Sequence, residues 1–145
     1  MSEAKSLLVI GAGIAGISDA LEAAEAGAVA AVGATGGAGD DQLHGNEGND
    51  ELHAEEGNDD AYGDAGDDAI KGGTGDDTIY GGSGNDTIVG GEGADTIHGD
   101  AGNDAMDGGG GNDIMFGGAG SDTLNGSFGN DRLDRGEGDD ECNGG

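Results

Sequence analysis

Apolar side chains recur along this chain at a fixed step. Leu43, Leu52, Ala61, Ile70, Ile79, Ile88, Ile97, Met106, Met115, Leu124, Leu133 and Cys142 follow one another at every ninth residue. Two residues before each stands an aspartate: Asp41, Asp50, Asp59, Asp68, Asp77, Asp86, Asp95, Asp104, Asp113, Asp122, Asp131 and Asp140. Two residues earlier again stands a glycine, from Gly39 to Gly138. Gly36 to Asn143 therefore divides into twelve nine-residue units, 108 residues without insertion or deletion. Glycine fills position 4 of every unit and positions 1 and 2 of most, permitting positive φ and tight turns that other residues resist. The pattern predicts a repeat protein, with one inward apolar side chain per unit.

The first 35 residues read differently. Ser6–Ile10 is a short apolar run with the look of a buried strand, and Ile17–Ala26 is Ala-rich and helical in pattern. A second, weaker strand is expected over Ala28–Val32. Between the first strand and the helix lie Gly11, Gly13 and Gly16, in the spacing of a dinucleotide-binding turn. Such a turn needs one glycine to bend, a second to admit a pyrophosphate, and a third to pack helix on strand. Residues 5–33 resemble the opening of flavin- and nicotinamide-binding oxidoreductases, especially the FAD-binding subunit of heterodisulfide reductases. The resemblance implies FAD or NAD on those three glycines. It departs where an acidic residue should hold the ribose, since Val32, Gly33 and Ala34 stand there. The repeats begin before further strands could complete a doubly wound sheet, so a cap on the repeats is the competing expectation.

Composition sharpens the picture. With 37 Gly, no Pro, 3% aromatic residues and a net charge of −28, an ordinary core is excluded, and composition alone would indicate disorder. The unbroken period argues against that, because disorder needs no register. Residues 36–145 hold 28 of the 32 carboxylates against three of the four bases, a net of −25. That charge disfavours nucleic acid and anionic membranes as partners and favours multivalent cations. A lone cysteine, Cys142, excludes an intramolecular disulfide. No apolar run reaches the roughly 18 residues of a membrane span. Leu7–Ile17 could pass for a signal-peptide core, but Glu3 beside Lys5 makes a poor basic leader.

The nine-residue phrase, clearest in Gly72–His98, resembles the RTX, or hemolysin-type, calcium-binding nonapeptide. The resemblance covers about three quarters of the chain. It implies an all-β solenoid: a right-handed parallel β-roll in which six residues turn, three form a strand, and two units complete a coil of 18. It also implies calcium between successive coils, held by the sixth-position aspartates and turn carbonyls. Carboxylate and carbonyl oxygens suit Ca²⁺, which takes six to eight of them. In a three-residue strand the middle side chain opposes its neighbours, so position 8 goes inward while positions 7 and 9 go out.

An 18-residue coil sorts the aspartates into two ladders, Asp41 through Asp131 and Asp50 through Asp140, with five gaps each and room for up to about ten Ca²⁺. Without the metal, carboxylates about 5 Å apart would repel by roughly 3 kcal/mol per pair. The same sorting places His44, Tyr62, Tyr80, His98 and Phe116 in one outward stripe. The stripe either stacks on itself or docks the N-terminal segment, a second roll or a parent domain. Units with lost glycines, Ala54-Glu55 and Arg135, are expected to hold looser sites.

The three histidines occupy outward ninth positions, and neither His-Glu-x-x-His nor Gly-x-Ser-x-Gly occurs. The chain reads as a 1–35 segment followed by a 36–145 calcium-binding roll. It is expected to be a non-catalytic module of a secreted or cell-surface protein. The alternative is a fragment of an FAD- or NAD-dependent oxidoreductase. The sequence stops at Gly145 without the long C-terminal tail used in type I secretion, which reads as a fragment or as another export route.

Overall fold

The computed structural model describes residues 10–11 and 33–145. These form a parallel β-solenoid of about six turns, with no helix among the described residues. Strand β1 is Ile10–Gly11, and β2 (Gly33–Ala38) opens the roll. Then follow β3 (Asp41–His44), β4 (Glu51–Glu56), β5 (Asp60–Ala65), β6 (Ala69–Thr74) and β7 (Thr78–Ser83). The central part continues with β8 (Thr87–Glu92), β9 (Thr96–Ala101), β10 (Ala105–Gly111) and β11 (Ile114–Ala119). Four short strands finish it: β12 (Thr123–Asn125), β13 (Phe128–Gly129), β14 (Arg132–Asp134) and β15 (Glu141–Asn143).

Successive strands alternate between two sheets. One runs β1-β3-β5-β7-β9-β11-β14, the other β15-β12-β10-β8-β6-β4-β2, with β13 also pairing with β10. Within the roll every pairing is parallel and steps by 18 residues, as in Ile79↔Ile97 and Ile70↔Ile88. Only β1 runs antiparallel, setting Ile10 opposite Gln42 and Gly11 opposite Asp41. The rest of the expected first strand, the helix over Ile17–Ala26 and the strand over Ala28–Val32 lie outside the described residues. Strand β2 begins three residues ahead of Gly36, with Gly33, Ala34 and Thr35 pairing with Glu51, Leu52 and His53.

The strands are longer than the expected three residues. Strands β4 to β9 and β11 start at position 7 and continue through position 3 of the next unit, as Thr78–Ser83 does, and β10 runs one residue further. This leaves little more than positions 4 to 6 for the turn. Pairing lapses at position 1, between Tyr80↔His98 and Gly82↔Asp100, and then resumes. Position 2 has positive φ in all twelve units, even where it is Asn46, Glu55, Asp64, Asp100 or Ser127, and so does the position 4 glycine. Position 4 is doubly restricted: a Cβ on Gly84 would also overlap the carbonyl oxygen of Gly66, one coil back. Position 1 never takes positive φ. Its glycine serves another purpose, which the site makes clear.

The core is one file of position 8 side chains contributed alternately by the two sheets. Leu43, Leu52, Ala61, Ile70, Ile79, Ile88, Ile97, Met106, Met115 and Leu124 are buried, joined by Ala54 from position 1. Each fully buried large side chain contributes about 1.5–3 kcal/mol. Leu133 and Cys142 are only partly covered, so the file loosens at its last two members.

Candidate metal centre

The sixth-position aspartates face inward at the corners of the coils, and Asp41 through Asp122 are buried. Main-chain pairing on either side fixes the direction of each corner, because position 7 donates its N–H to the position 6 carbonyl of the preceding coil (Thr96 to Asp77, 2.8 Å). One carboxylate oxygen is committed to the fold. Asp95 Oδ1 accepts the N–H of Asp77 at 2.9 Å, and Asp104 Oδ1 accepts that of Asp86 at 2.8 Å. The same bond recurs from Asp41→Asp59 to Asp122→Asp140 (2.7 and 2.9 Å), so two continuous ladders form with the membership expected from the period.

The other oxygen has no partner. Oδ2 of Asp59, Asp68, Asp77, Asp86, Asp95, Asp104, Asp113 and Asp122 is buried without a hydrogen bond. From Asp68 to Asp122 each lies beside the position 1 glycine of its own unit, whereas position 1 of the Asp59 unit is Ala54. A Cβ on Gly81 would sit 2.5 Å from Asp86 Oδ2 and 2.8 Å from the carbonyl oxygen of Gly99, one coil on. Gly99 repeats the arrangement with Asp104 Oδ2 and the Gly117 oxygen, both at 2.5 Å. The glycine thus keeps open a space bordered by carboxylate and carbonyl oxygen. A stranded carboxylate oxygen next to a carbonyl, with no donor in reach, fits a hard cation. Among the described residues no three His, Cys, Asp or Glu side chains converge on one point. A cation held here therefore draws on main-chain oxygens as well as on carboxylates.

Family comparison decides what the cation is. A model of the RTX calcium-binding nonapeptide repeat, four copies long, matches residues 35–70, 62–97, 71–106, 80–115 and 107–142. The chain belongs to the RTX calcium-binding repeat family. It is a calcium-binding β-roll, a structural fold, and the orphaned oxygens suit that ion. Comparison with curated proteins and with solved structures gives no match.

Burial dominates the electrostatics of these carboxylates in the RTX roll. Burial pushes the carboxyl of Asp77 up to about 7 and those of Asp68, Asp95 and Asp104 up to about 6. The N–H from the preceding coil opposes this rise, and neighbouring rungs such as Asp59 and Asp95 around Asp77 add to it. Asp59, Asp86 and Asp113 are raised for the same leading reason.

A further set of rungs, at position 5, was not anticipated from the sequence. Position 5 side chains accept the N–H of position 5 one coil further on, as Asp67 Oδ1 does from Asn85 (2.8 Å) and Asn85 Oδ1 from Asn103 (2.9 Å). This runs opposite to the sixth-position ladder and is exposed to solvent. Its signal was present, since Asn or Asp fills position 5 in every unit except those of Ala94 and Ser121.

The outward stripe is a continuous stack of rings. His44–Tyr62, Tyr62–Tyr80, Tyr80–His98 and His98–Phe116 lie 4.6, 5.1, 4.7 and 4.7 Å apart, with planes within 13°. His44 Nδ1 also meets Asp64 Oδ2 at 3.2 Å, and His53 Nε2 meets Glu51 Oε1 at 2.8 Å. Of the three fingerprint glycines, Gly11 lies in β1 opposite Asp41, while Gly13 and Gly16 fall outside the described residues.

Proposed function

We propose that the twelve sixth-position aspartates, Asp41 through Asp140, hold up to about ten calcium ions, one for each gap between consecutive rungs of the two ladders. The buried, unpartnered Oδ2 in coil after coil carries this reading. Carbonyl oxygens of the position 1 residues, such as Gly99 and Gly117, would complete the donor set. Calcium supplies positive charge where the folded chain has gathered buried negative charge. The protein supplies the hydrogen-bonded frame that keeps the Oδ1 atoms in line and the Oδ2 atoms available.

On this reading the roll is a calcium-assembled, non-catalytic scaffold for a protein that works outside the cell. RTX proteins are typically secreted, and extracellular modules bind calcium at about 0.1–1 mM. The full chain in excess chelator should lack β signal in circular dichroism and gain it over that calcium range, while magnesium substitutes poorly because it demands a small octahedral shell. A complete β signal in chelator would overturn the proposal. Equilibrium dialysis with labelled calcium counts the ions.

The ring stack favours self-stacking over docking as the role of the face that bears it. The faces of Tyr62, Tyr80 and His98 are taken up by their neighbours, so a partner docking on the stripe would meet ring edges. Replacing Tyr62, Tyr80 and Phe116 by Ser distinguishes the two roles. A changed calcium midpoint with unchanged oligomeric state means stacking only, whereas lost assembly at unchanged calcium affinity means docking.

A further inference from the structure

Each sixth-position aspartate from Asp68 to Asp122 has two tasks, and they fall on different atoms. Oδ1 receives the main-chain N–H of the preceding coil, for instance Asp68 N–H on Asp86 Oδ1 at 2.8 Å. Oδ2 receives nothing and faces the space beside the position 1 glycine, whose other border is a carbonyl oxygen. The surroundings of Oδ2 offer acceptors and no donor. Such a space repels a carboxylate and suits anything that brings positive charge or an N–H. Asparagine is a carboxylate with one oxygen exchanged for an NH₂ group: it keeps the acceptor that Oδ1 supplies, turns the stranded oxygen into a donor, and removes the charge.

We propose that the buried rungs are a hydrogen-bonded frame interrupted only by the charge on Oδ2, so that asparagine at these positions lets the roll fold without calcium. This rests on the reading of calcium as the partner of Oδ2, and it goes further. The dependence on calcium is a replaceable switch set by one atom per rung, and the geometry of the roll is independent of the metal. The same argument predicts that alanine cannot substitute, because it removes the Oδ1 acceptor and strands a buried N–H.

The test uses the full chain in excess chelator. The variant D68N/D77N/D86N/D95N/D104N/D113N is expected to show the β signal that the unaltered chain shows only in calcium, and to gain nothing when calcium is added to its central gaps. The same variant with D86A in place of D86N should lose that signal in part. An Asn variant that stays unfolded in chelator, or needs as much calcium as the unaltered chain, overturns the proposal. A milder comparison avoids reliance on six changes: single D86N and D86A chains are folded in chelator with trimethylamine oxide, which favours compact states. D86N should need less osmolyte than the unaltered chain and D86A more than D86N. Equal requirements for D86N and the unaltered chain sink the idea. Should the unaltered chain already fold in chelator, the calcium-assembly reading fails by itself, and the same three chains compared in urea still decide the role of Oδ1 and Oδ2.

Discussion

Asp86 and Asp140 hold the same place in the same ladder, and they are different chemical objects. Asp86 is 1% exposed, holds the N–H of Asp68, and gives its own N–H to Asp104. Asp140 holds the N–H of Asp122 but is half exposed, and among the described residues no further rung lies beyond it. The apolar positions behave alike: Ile88 is sealed, whereas Leu133 and Cys142 are only partly covered. The strands shorten over the same stretch, from six residues in β8 to three in β14 and β15. The letter in the repeat does not determine burial or hydrogen bonding. Neighbours on both sides do, as expected of a solenoid in which each coil touches only the next.

The largest effect should come from breaking a rung. On the proposed assignment Asp86→Ala removes a calcium ligand from two gaps, and it leaves the Asp68 N–H buried without an acceptor. Asp140→Ala touches one gap and removes the acceptor of the Asp122 N–H at the loosely covered end of the ladder. The calcium midpoint is expected to rise at least about fivefold for Asp86→Ala and less than about twofold for Asp140→Ala, from the cost of a stranded buried group. Equal shifts in a circular dichroism titration would deny that the coils stack as described.

Next comes the core. In saturating calcium, Ile88→Ala should cost about 2–5 kcal/mol in urea unfolding, the range for truncating a sealed side chain. Leu133→Ala should cost under about 1 kcal/mol, because its site is partly open and collapses or hydrates readily. Similar losses would mean that the end of the file is as well packed as its centre.

Acidity gives a third comparison. Asp77 near 7, and Asp68, Asp95 and Asp104 near 6, titrate above the ordinary aspartate value of 3.8. A folded-state value above the unfolded one means that protonation favours the fold. In chelator, this stabilisation is fully present below about pH 4 and is lost as pH rises through about 6 to 7. The metal-free chain should therefore gain β signal on acidification. On the proposed assignment protons and calcium compete for the same carboxylates, so the calcium midpoint should rise by about tenfold between about pH 7.5 and 5.5. A midpoint independent of pH would show that the buried carboxylates do not hold the metal.

The period carried much of this fold because several positions of the repeat each do one job. Position 8 has a single inward side chain per unit, position 6 is always Asp, and the step of nine sorts both onto two sheets; the ring stack follows from the same sorting of position 9. The strand length was not legible. Glycine at position 1 reads as a turn residue, yet it is extended and serves by leaving room for Oδ2. Positive φ at position 2 was legible for Gly73 or Gly82, but not for Glu55, which takes φ 81° in register with its neighbours. The orphaned Oδ2 could not be read at all, because a sequence shows that a carboxylate recurs but not which oxygen the backbone uses. The exposed ladder was overlooked for a simpler reason: the repeat phrase leaves position 5 unspecified, and its Asn and Asp residues look like solvated polar surface.

That exposed ladder supplies the smallest and most pointed test. It is interrupted at Ala94, which offers no acceptor to the N–H of Asn112, and again at Ser121, below Asp139. Ala94→Asn would restore in the central coils the bond that Asn85 makes to Asn103 at 2.9 Å. A solvent-accessible hydrogen bond of this kind contributes at the low end of the usual range, about 0.5 kcal/mol, so the calcium midpoint should fall by about twofold. Ala94→Asp would supply the same acceptor while adding charge beside Asp76 and Asp95, and should help less. Ser121→Asn makes the matching bond in the frayed coils, where Asp139 is exposed and its coil is loosely held. Its benefit should be smaller than that of Ala94→Asn, because a hydrogen bond stabilises the roll only as far as the coil it joins is already fixed. A larger gain from Ser121→Asn would place the weak point of the roll at its end and make that end the limiting step of calcium-driven folding.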